Sequence, residues 1–301
     1  MKEKFYGVYA ALLTPFDQDG NLSEKRLKDL VKFLISKGIN GLYVCGSTGE
    51  FPLMNIEERK RVAEIVKEEV GDKIRIIVHV GALSARDTIK LAKHSEKIKV
   101  DAISLVPPFY YNFSFEEIFN FYKEIASSTS LPIFFYYIPQ TTGVLLENQQ
   151  IIKLGEIKNI IGLKYTYTDF YLLQDLLLKM KDKWIAFSGP DELFLPALTM
   201  GVVGCIGSTQ NILPEIFIDI YESFKRNDIE KAMKLQKRIT EAVELFHRYG
   251  GITSRKVALK FRGIDAGFAR EPFLKDLPDE KKEMFKKEYL EKFPEFSEGI
   301  K

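Results

Sequence analysis

Ile160-Ile161-Gly162-Leu163-Lys164-Tyr165-Thr166 is short, apolar and rich in β-branched side chains, so it reads as a strand buried on both faces. Its centre is nevertheless a lysine. Burying an ammonium costs several kcal/mol or forces the group to shed its proton. A lysine desolvated between apolar walls is a nucleophile towards carbonyls. On this segment alone the commoner outcome is a lysine at a strand end whose amine reaches water. The rest of the chain decides between the two.

Outward from this strand one rhythm runs through the sequence: short apolar runs bounded by Gly or Pro alternate with amphipathic stretches of helical period. Strands are expected at 7–16, 41–45, 75–80, 101–106, 132–138, 160–166, 184–188 and 202–206. Helices are expected at 23–37, 56–70, 84–97, 114–128, 146–154, 169–181, 191–200 and 214–224. Ser23 is the expected N-cap of the first helix and Gly38 its C-cap. Eight strand–helix units predict an α/β fold of the (β/α)₈ TIM-barrel class. A doubly wound open sheet would carry a Gly-rich phosphate turn after its first strand. Here that strand ends in Thr14-Pro15-Phe16.

The barrel is outlined as residues 1–225 and a C-terminal helical extension as 226–301. The extension should hold helices at 228–248, 254–261 and 279–292, with Phe285 and Tyr289 one turn apart on the last. No Ser-, Gly- or Pro-rich linker precedes it, so it is expected to pack on the barrel side and on a neighbouring subunit within a single structural domain.

Composition narrows the function classes. The 301 residues are 46% apolar with a formal charge of +2, and no dense basic block is interleaved with aromatics. Nothing points to a nucleic-acid groove. Cys45 and Cys205 lie inside apolar runs and should be buried free thiols in a reducing compartment. His79, His94 and His247 lack metal-ligand spacing with each other or with the cysteines, so no metal site is expected. No signal-peptide core follows Met1-Lys2-Glu3-Lys4, and no apolar run approaches the ~18 residues of a membrane span. A soluble cytoplasmic protein without membrane partners is expected.

In such barrels the chemistry sits at the carboxyl ends of the strands. After strand two comes Gly46-Ser47-Thr48-Gly49, whose backbone N–H groups and two hydroxyls form a nest for a carboxylate or phosphate. Most Gly-Ser turns are only turns. Strand five ends in Tyr136-Tyr137-Ile138-Pro139, placing a phenol that either relays a proton or merely packs. Thr166 lies two residues beyond Lys164 and therefore on the same face. Gly189-Pro190-Asp191-Glu192 follows strand seven, and its acids have an equally good reading as first-turn residues at a helix N-terminus. Strand eight runs into Ser208-Thr209. One inward lysine, a tyrosine, an anion nest and a ring of hydroxyls and carboxylates on one rim describe an enzyme that forms an imine with a small 2-oxo acid. The imine is an electron sink for making or breaking the neighbouring C–C bond.

Gly46-Ser47-Thr48-Gly49-Glu50, Tyr136-x-Ile138-Pro139 with Thr142-Gly143 following, Gly162-Leu163-Lys164 and Gly189-x-Asp191-Glu192 together resemble the pyruvate-dependent class I aldolase family of N-acetylneuraminate lyase and dihydrodipicolinate synthase. The resemblance extends from Phe5 to about Phe273 with the motifs in order. It implies that Lys164 is the Schiff-base lysine and Tyr136 the proton-transferring tyrosine, with Ser47 and Thr48 on the pyruvate carboxylate. It implies that Tyr110 reaches into an adjoining subunit's site and that the protein is a homotetramer. No cofactor is implied beyond the covalent imine at Lys164.

The synthase resembled here has Thr-Thr where this chain has Ser47-Thr48, and an arginine where it has Thr141, preceded by Gln140. An anionic second substrate would lack a charge-assisted partner worth ~1.5–3 kcal/mol. Thr166, Gly189, Asp191, Glu192 and Ser208 match the lyase pattern for a hydroxylated substrate tail. The resemblance therefore implies reversible cleavage of N-acetylneuraminate to N-acetylmannosamine and pyruvate. The alternatives are an aldolase for a 2-keto-3-deoxy sugar acid, the synthase itself, or a non-catalytic sugar-acid sensor. Tyr137, Tyr165 and Tyr167 depart from the family pattern and, with Gln140 and Thr141, bear on which sugar acid is taken.

Overall fold

The computed structural model describes residues 2–181 and 183–300; Met1 and Lys301, at the outer ends of the two outlined segments, and Asp182 lie outside the described residues. Eight strands are present: β1 (Gly7–Ala11), β2 (Gly41–Val44), β3 (Arg75–His79), β4 (Ala102–Leu105), β5 (Ile133–Tyr137), β6 (Ile160–Tyr165), β7 (Ile185–Ser188) and β8 (Gly204–Gly207). They pair in parallel in sequence order and β8 closes on β1, so the sheet is a closed barrel. Around it run α1 (Glu24–Ser36), α2 (Ile56–Val70), α3 (Ala85–Lys97), α4 (Phe115–Ser127), α5 (Pro139–Thr142), α6 (Asn148–Leu154), α7 (Phe170–Lys179), α8 (Phe194–Met200) and α9 (Pro214–Lys225). The (β/α)₈ class expected from the alternating pattern is the one observed.

Local chemistry sets the helix starts. Asn55 accepts the Glu58 N–H at 2.9 Å while the Glu58 carboxylate accepts the Asn55 N–H at 2.9 Å, a capping box at the head of α2. Ser114 and Glu117 do the same for α4. Each such cap contributes about 1 kcal/mol. Ser23 differs from expectation: it occupies the N-cap of α1, but its side chain makes no cap bond there. The first strand also stops at Ala11, well short of 16, because the chain turns there and Phe16 pairs with Leu22 and Phe268. The helix expected at 191–200 is split into a 3₁₀ turn, Asp191–Leu193, and α8.

The barrel interior is packed with aromatics at its amino end. Tyr9 and Phe187 meet edge-on at 5.2 Å, Phe134 and Phe187 at 5.6 Å, and Phe5 closes on Phe134 at 5.3 Å. This plug leaves only the carboxyl end free for polar groups.

Beyond α9 lie α10 (Ile229–Arg248), α11 (Ile252–Phe261) and α12 (Asp279–Lys292). Phe285 and Tyr289 of α12 are buried, packing on Phe246, Tyr249 and Phe261. Ion pairs join these late residues to the barrel, among them Arg262 to Glu215 at 2.6 Å, Arg270 to Glu58 at 2.6 Å and Lys256 to Glu50 at 2.6 Å. The last is buried on both sides, and it ties α11 to the loop after β2.

Candidate active site

Lys164 is the penultimate residue of β6, in register with Tyr136 on β5 and Phe187 on β7. Its side chain points into the barrel and the residue is 4% exposed. The commoner outcome for a strand lysine, an amine in open water, is not what the fold produces. Instead Nζ lies 4.1 Å from the centroid of the Tyr136 ring and 4.5 Å from that of Tyr43. A cation over desolvated aromatic faces gains ~2 kcal/mol or more, which offsets part of the burial cost.

Tyr43, on β2, went unnoticed in the sequence. Its phenol donates to Ser104 Oγ at 3.0 Å, and Ser104 in turn donates to the Phe134 carbonyl at 2.9 Å. Burial, followed by the neighbouring Tyr136, holds its hydroxyl well above the ordinary phenol range, so it stays protonated. The Tyr43 ring also carries the anion nest. A Cβ on Gly46 would stand 2.6 Å from that ring, so glycine lets the Gly46–Gly49 turn settle onto it. The only available signal was a tyrosine at an inward position of an otherwise aliphatic strand.

The nest itself is bracketed by left-handed backbone at two non-glycine residues, Cys45 with φ 57 and Glu50 with φ 60. Such conformations persist where the surroundings over-determine them. Here Thr14 Oγ1 donates to the Gly49 carbonyl at 2.8 Å, and Glu50 accepts the Arg270 N–H at 2.8 Å. Lys256 Nζ reaches Glu50 and also donates to the Thr14 carbonyl at 2.7 Å and to that of Phe268 at 2.6 Å. Burial draws the Lys256 ammonium down to about 8 against the pull of Glu50. Ser47 and Thr48 are half-buried, and among the described residues neither hydroxyl has a hydrogen-bond partner.

His79 ends β3 beneath the same site. Its ring is 5.9 Å from Tyr136 and 4.4 Å from Phe51, edge-on to the first. Nδ1 stands 3.1 Å from the Cys45 carbonyl and Nε2 faces the Val106 N–H at 3.4 Å, which fits a neutral ring protonated on Nδ1. Burial first, then the charges of Arg59 and Lys164, hold its imidazolium well below the usual histidine value. The unfolded chain therefore takes up a proton near pH 6.5 that the folded chain refuses, and stability falls as pH drops below that point. One such site contributes up to ~1.4 kcal/mol per pH unit. Urea unfolding of His79→Gln between pH 7 and 5 should show a shallower decline than the wild type; equal slopes would remove this account.

Among the cavities at this end of the barrel, two are lined by the expected site residues. One of about 300 Å³ is walled by Phe51, Val106, Phe109, Ile138 and Phe273, with Ser47 at its edge. The other, about 220 Å³, is polar and brings together Thr166, Gly189, Asp191, Glu192 and Ser208. Lys164 and Tyr136 stand two strand positions below Thr166 and Ile138, on the same inward faces and one layer deeper. Gly189 has no room for a side chain, since its Cβ would stand 1.8 Å from Thr166 Oγ1.

Asp191 opens the 3₁₀ turn Asp191–Leu193 and so lies in a first helical turn, as its alternative reading expected, but its carboxylate also reaches across to the end of β8. Its Oδ2 accepts the Thr209 N–H at 2.9 Å and the Ser208 N–H at 3.2 Å, holding the turn after β8. Tyr110 is not part of this cluster within one chain. It is 82% exposed, at φ 88, with Tyr111 against it at 5.1 Å. Tyr137 and Tyr165 point out of the barrel as strand alternation requires, bonding to Leu146 and to the Asp169 carbonyl. Tyr167 packs on both of them and also lines the polar cavity, with Gln140, His247 and Arg255. Among the described residues no group of three or more His, Cys, Asp or Glu could hold a metal ion.

This arrangement can be set beside known proteins. Residues 4–291 match the dihydrodipicolinate synthetase family. An N-acetylneuraminate lyase from Fusobacterium nucleatum is 39% identical over 288 residues, 95% of this chain and 98% of its own. A protein of the same name from Clostridium perfringens is 39% identical over 267 residues, 88% of this chain and 92% of its own. Among solved structures, CdNal from Clostridium difficile in complex with mannosamine superposes with a TM-score of 0.93 at 37% identity, covering 96% of this chain and 99% of that one. With a closed eightfold barrel, an inward lysine and a match along nearly its full length, the chain belongs to the dihydrodipicolinate synthetase family.

Proposed function

We propose that the protein is a Schiff-base aldolase that cleaves N-acetylneuraminate to N-acetylmannosamine and pyruvate. The observation that carries this reading is the buried Lys164 amine 4.1 Å from the Tyr136 ring, beneath a nest that offers two unengaged hydroxyls. The names of the relatives at 39% identity support it. Lys164 adds to the C2 ketone of the open-chain sugar acid and water leaves, giving an imine. Ser47, Thr48 and the nest N–H groups hold the adjoining carboxylate. Tyr136 relays the C4 hydroxyl proton, accepting it as it passes its own phenolic proton to the substrate carboxylate, while the C3–C4 bond breaks and the electron pair moves into the protonated imine to give an enamine. Protonation of that enamine and hydrolysis release pyruvate. No metal or organic cofactor takes part in these steps.

Glu192, Ser208 and Thr166 hold the hydroxylated tail, and Asp191 positions Ser208 for it. Leaving such groups unpaired is what rejects shorter substrates. Exposed Thr141 carries no charge, which disfavours a second anionic substrate and hence the synthase reaction. The intact lysine and tyrosine disfavour a sensor, which needs no nucleophile. Further parts of the proposal are a homotetramer in which the exposed Tyr110 of each copy completes a neighbour's site, a cytoplasmic location, and a barrel (1–225) and extension (226–301) acting as one structural domain. No described helix is long and apolar enough to cross a membrane.

Pyruvate release from N-acetylneuraminate, measured beside 2-keto-3-deoxygluconate and beside condensation of pyruvate with aspartate semialdehyde, tests the assignment. Efficient turnover is expected only with the first; robust condensation product would overturn it. Tyr136→Phe should lower kcat by ~10²–10⁴-fold, the usual worth of a proton-transfer group, while borohydride still traps the pyruvate imine. Full turnover in that variant would exclude the phenol as the proton relay.

A further inference from the structure

Three of the chain's arginines are buried, and two of them bond to protein groups through the terminal nitrogens of the fork. Arg59 donates to the carbonyls of Gly81 at 2.8 Å and His79 at 2.7 Å, and Arg262 pairs with Glu215 and Glu298. The third, Arg255 on α11, is 4% exposed, yet its guanidinium has no hydrogen-bond or ion-pair partner among the described residues. The Phe246 ring lies against it, 5.3 Å from Cζ. An uncompensated buried charge costs several kcal/mol, and a buried polar group without a partner calls for an explanation.

The explanation lies in what Arg255 faces. It lines the polar cavity with Thr166, Asp191, Glu192 and Ser208. Two further buried polar atoms on those residues, Thr166 Oγ1 and Asp191 Oδ1, also lack protein partners. Unsatisfied donors and acceptors thus converge on one space from β6, from the loop after β7 and from α11. Thr166 is the next inward position after Lys164, so the cavity continues outward from the reacting carbon and ends at the C-terminal helices. Burial disfavours the charged guanidinium, and Asp191 and Glu192 counter that without touching it. The fork is left open for a ligand's oxygen acceptors.

We propose that Arg255 is a specificity-determining residue that donates N–H bonds to the hydroxyl oxygens at the far end of a long sugar-acid tail, while Glu192 accepts those hydroxyls' protons in hydrogen bonds. This rests on the aldolase reading above. It assigns the C-terminal helical extension a direct part in choosing the substrate.

Arg255→Leu and Arg255→Lys should be compared with the wild type in three measurements. The first is kcat/KM for N-acetylneuraminate, the second the half-saturating pyruvate concentration in borohydride trapping, and the third thermal unfolding. Pyruvate forms the imine but has no tail to reach Arg255. For Arg255→Leu, kcat/KM should fall about 10- to 100-fold with pyruvate trapping unchanged and the melting temperature equal or higher. A structural arginine would not behave so. Arg255→Lys keeps the charge without the fork and should fall between. Unchanged kcat/KM, or an equal loss for pyruvate and the long substrate with a lowered melting temperature, overturns the inference while leaving the aldolase intact. A wild type that neither traps pyruvate nor cleaves the long substrate overturns the aldolase reading and this inference together.

Discussion

Lys164→Ala should release no measurable pyruvate, a loss of at least ~10⁴-fold, since removing a covalent nucleophile takes away a whole reaction path. Lys164→Arg should be as inactive, because it keeps a positive charge over the Tyr43 and Tyr136 rings but cannot condense with a ketone. The pair of variants thus separates nucleophile from charge. Among the described residues the other buried lysine, Lys256, is the rival amine, and its ammonium is drawn down to about 8. Burial alone would admit it as a nucleophile, but geometry does not. Its Nζ is held by Glu50 and two carbonyls behind the nest, and it lines neither of the two cavities described above. Peptide mass analysis after borohydride reduction with pyruvate should place the added mass on Lys164. Mass on Lys256, or more than a tenth of wild-type activity in Lys164→Ala, would remove the mechanism.

The second large effect is on stability. Lys256→Met strands Glu50, whose side chain is 0% exposed, and should cost about 3–5 kcal/mol in chemical denaturation. Adding Glu50→Gln should restore part of that, because the stranded charge is gone. The titration of Lys256 carries its own signature. Between about pH 8 and the ordinary lysine value the unfolded chain holds a proton that the folded chain has lost, so this residue makes stability rise with pH there. Lys256→Met removes that rise. A single variant within 1 kcal/mol of the wild type, or no recovery in the double variant, would show that the pair does not anchor the loop after β2. Because that loop carries Ser47 and Thr48, the half-saturating pyruvate concentration should also rise.

Much of the fold was legible in the chain because a strand buried on both faces and a one-sided helix have different periods. The helix at 56–70 and the helix at 279–292 run as expected, each read from its own few turns. Errors fell where tertiary contacts overrule local preference. The run to 16 is apolar enough for strand, yet Leu12–Pro15 leaves the sheet to meet Asn211 and Gly49. The short α5 begins at a proline that reads equally as a stop.

By itself, then, the sequence determined the eightfold alternation, the inward face of β6 and the order of the motifs along the rim. Those follow from spacings of two to four residues, which the chain carries locally. Only the tertiary structure decided what surrounds the amine. Tyr43 and His79 come to Lys164 from strands 121 and 85 positions earlier, and Lys256 meets Glu50 across 206 positions. No periodicity encodes such meetings, because they arise when the barrel closes and its far segments share one end. Arg255 is the sharpest instance: in the sequence it is one more cation on a helix, and only burial without a partner sets it apart.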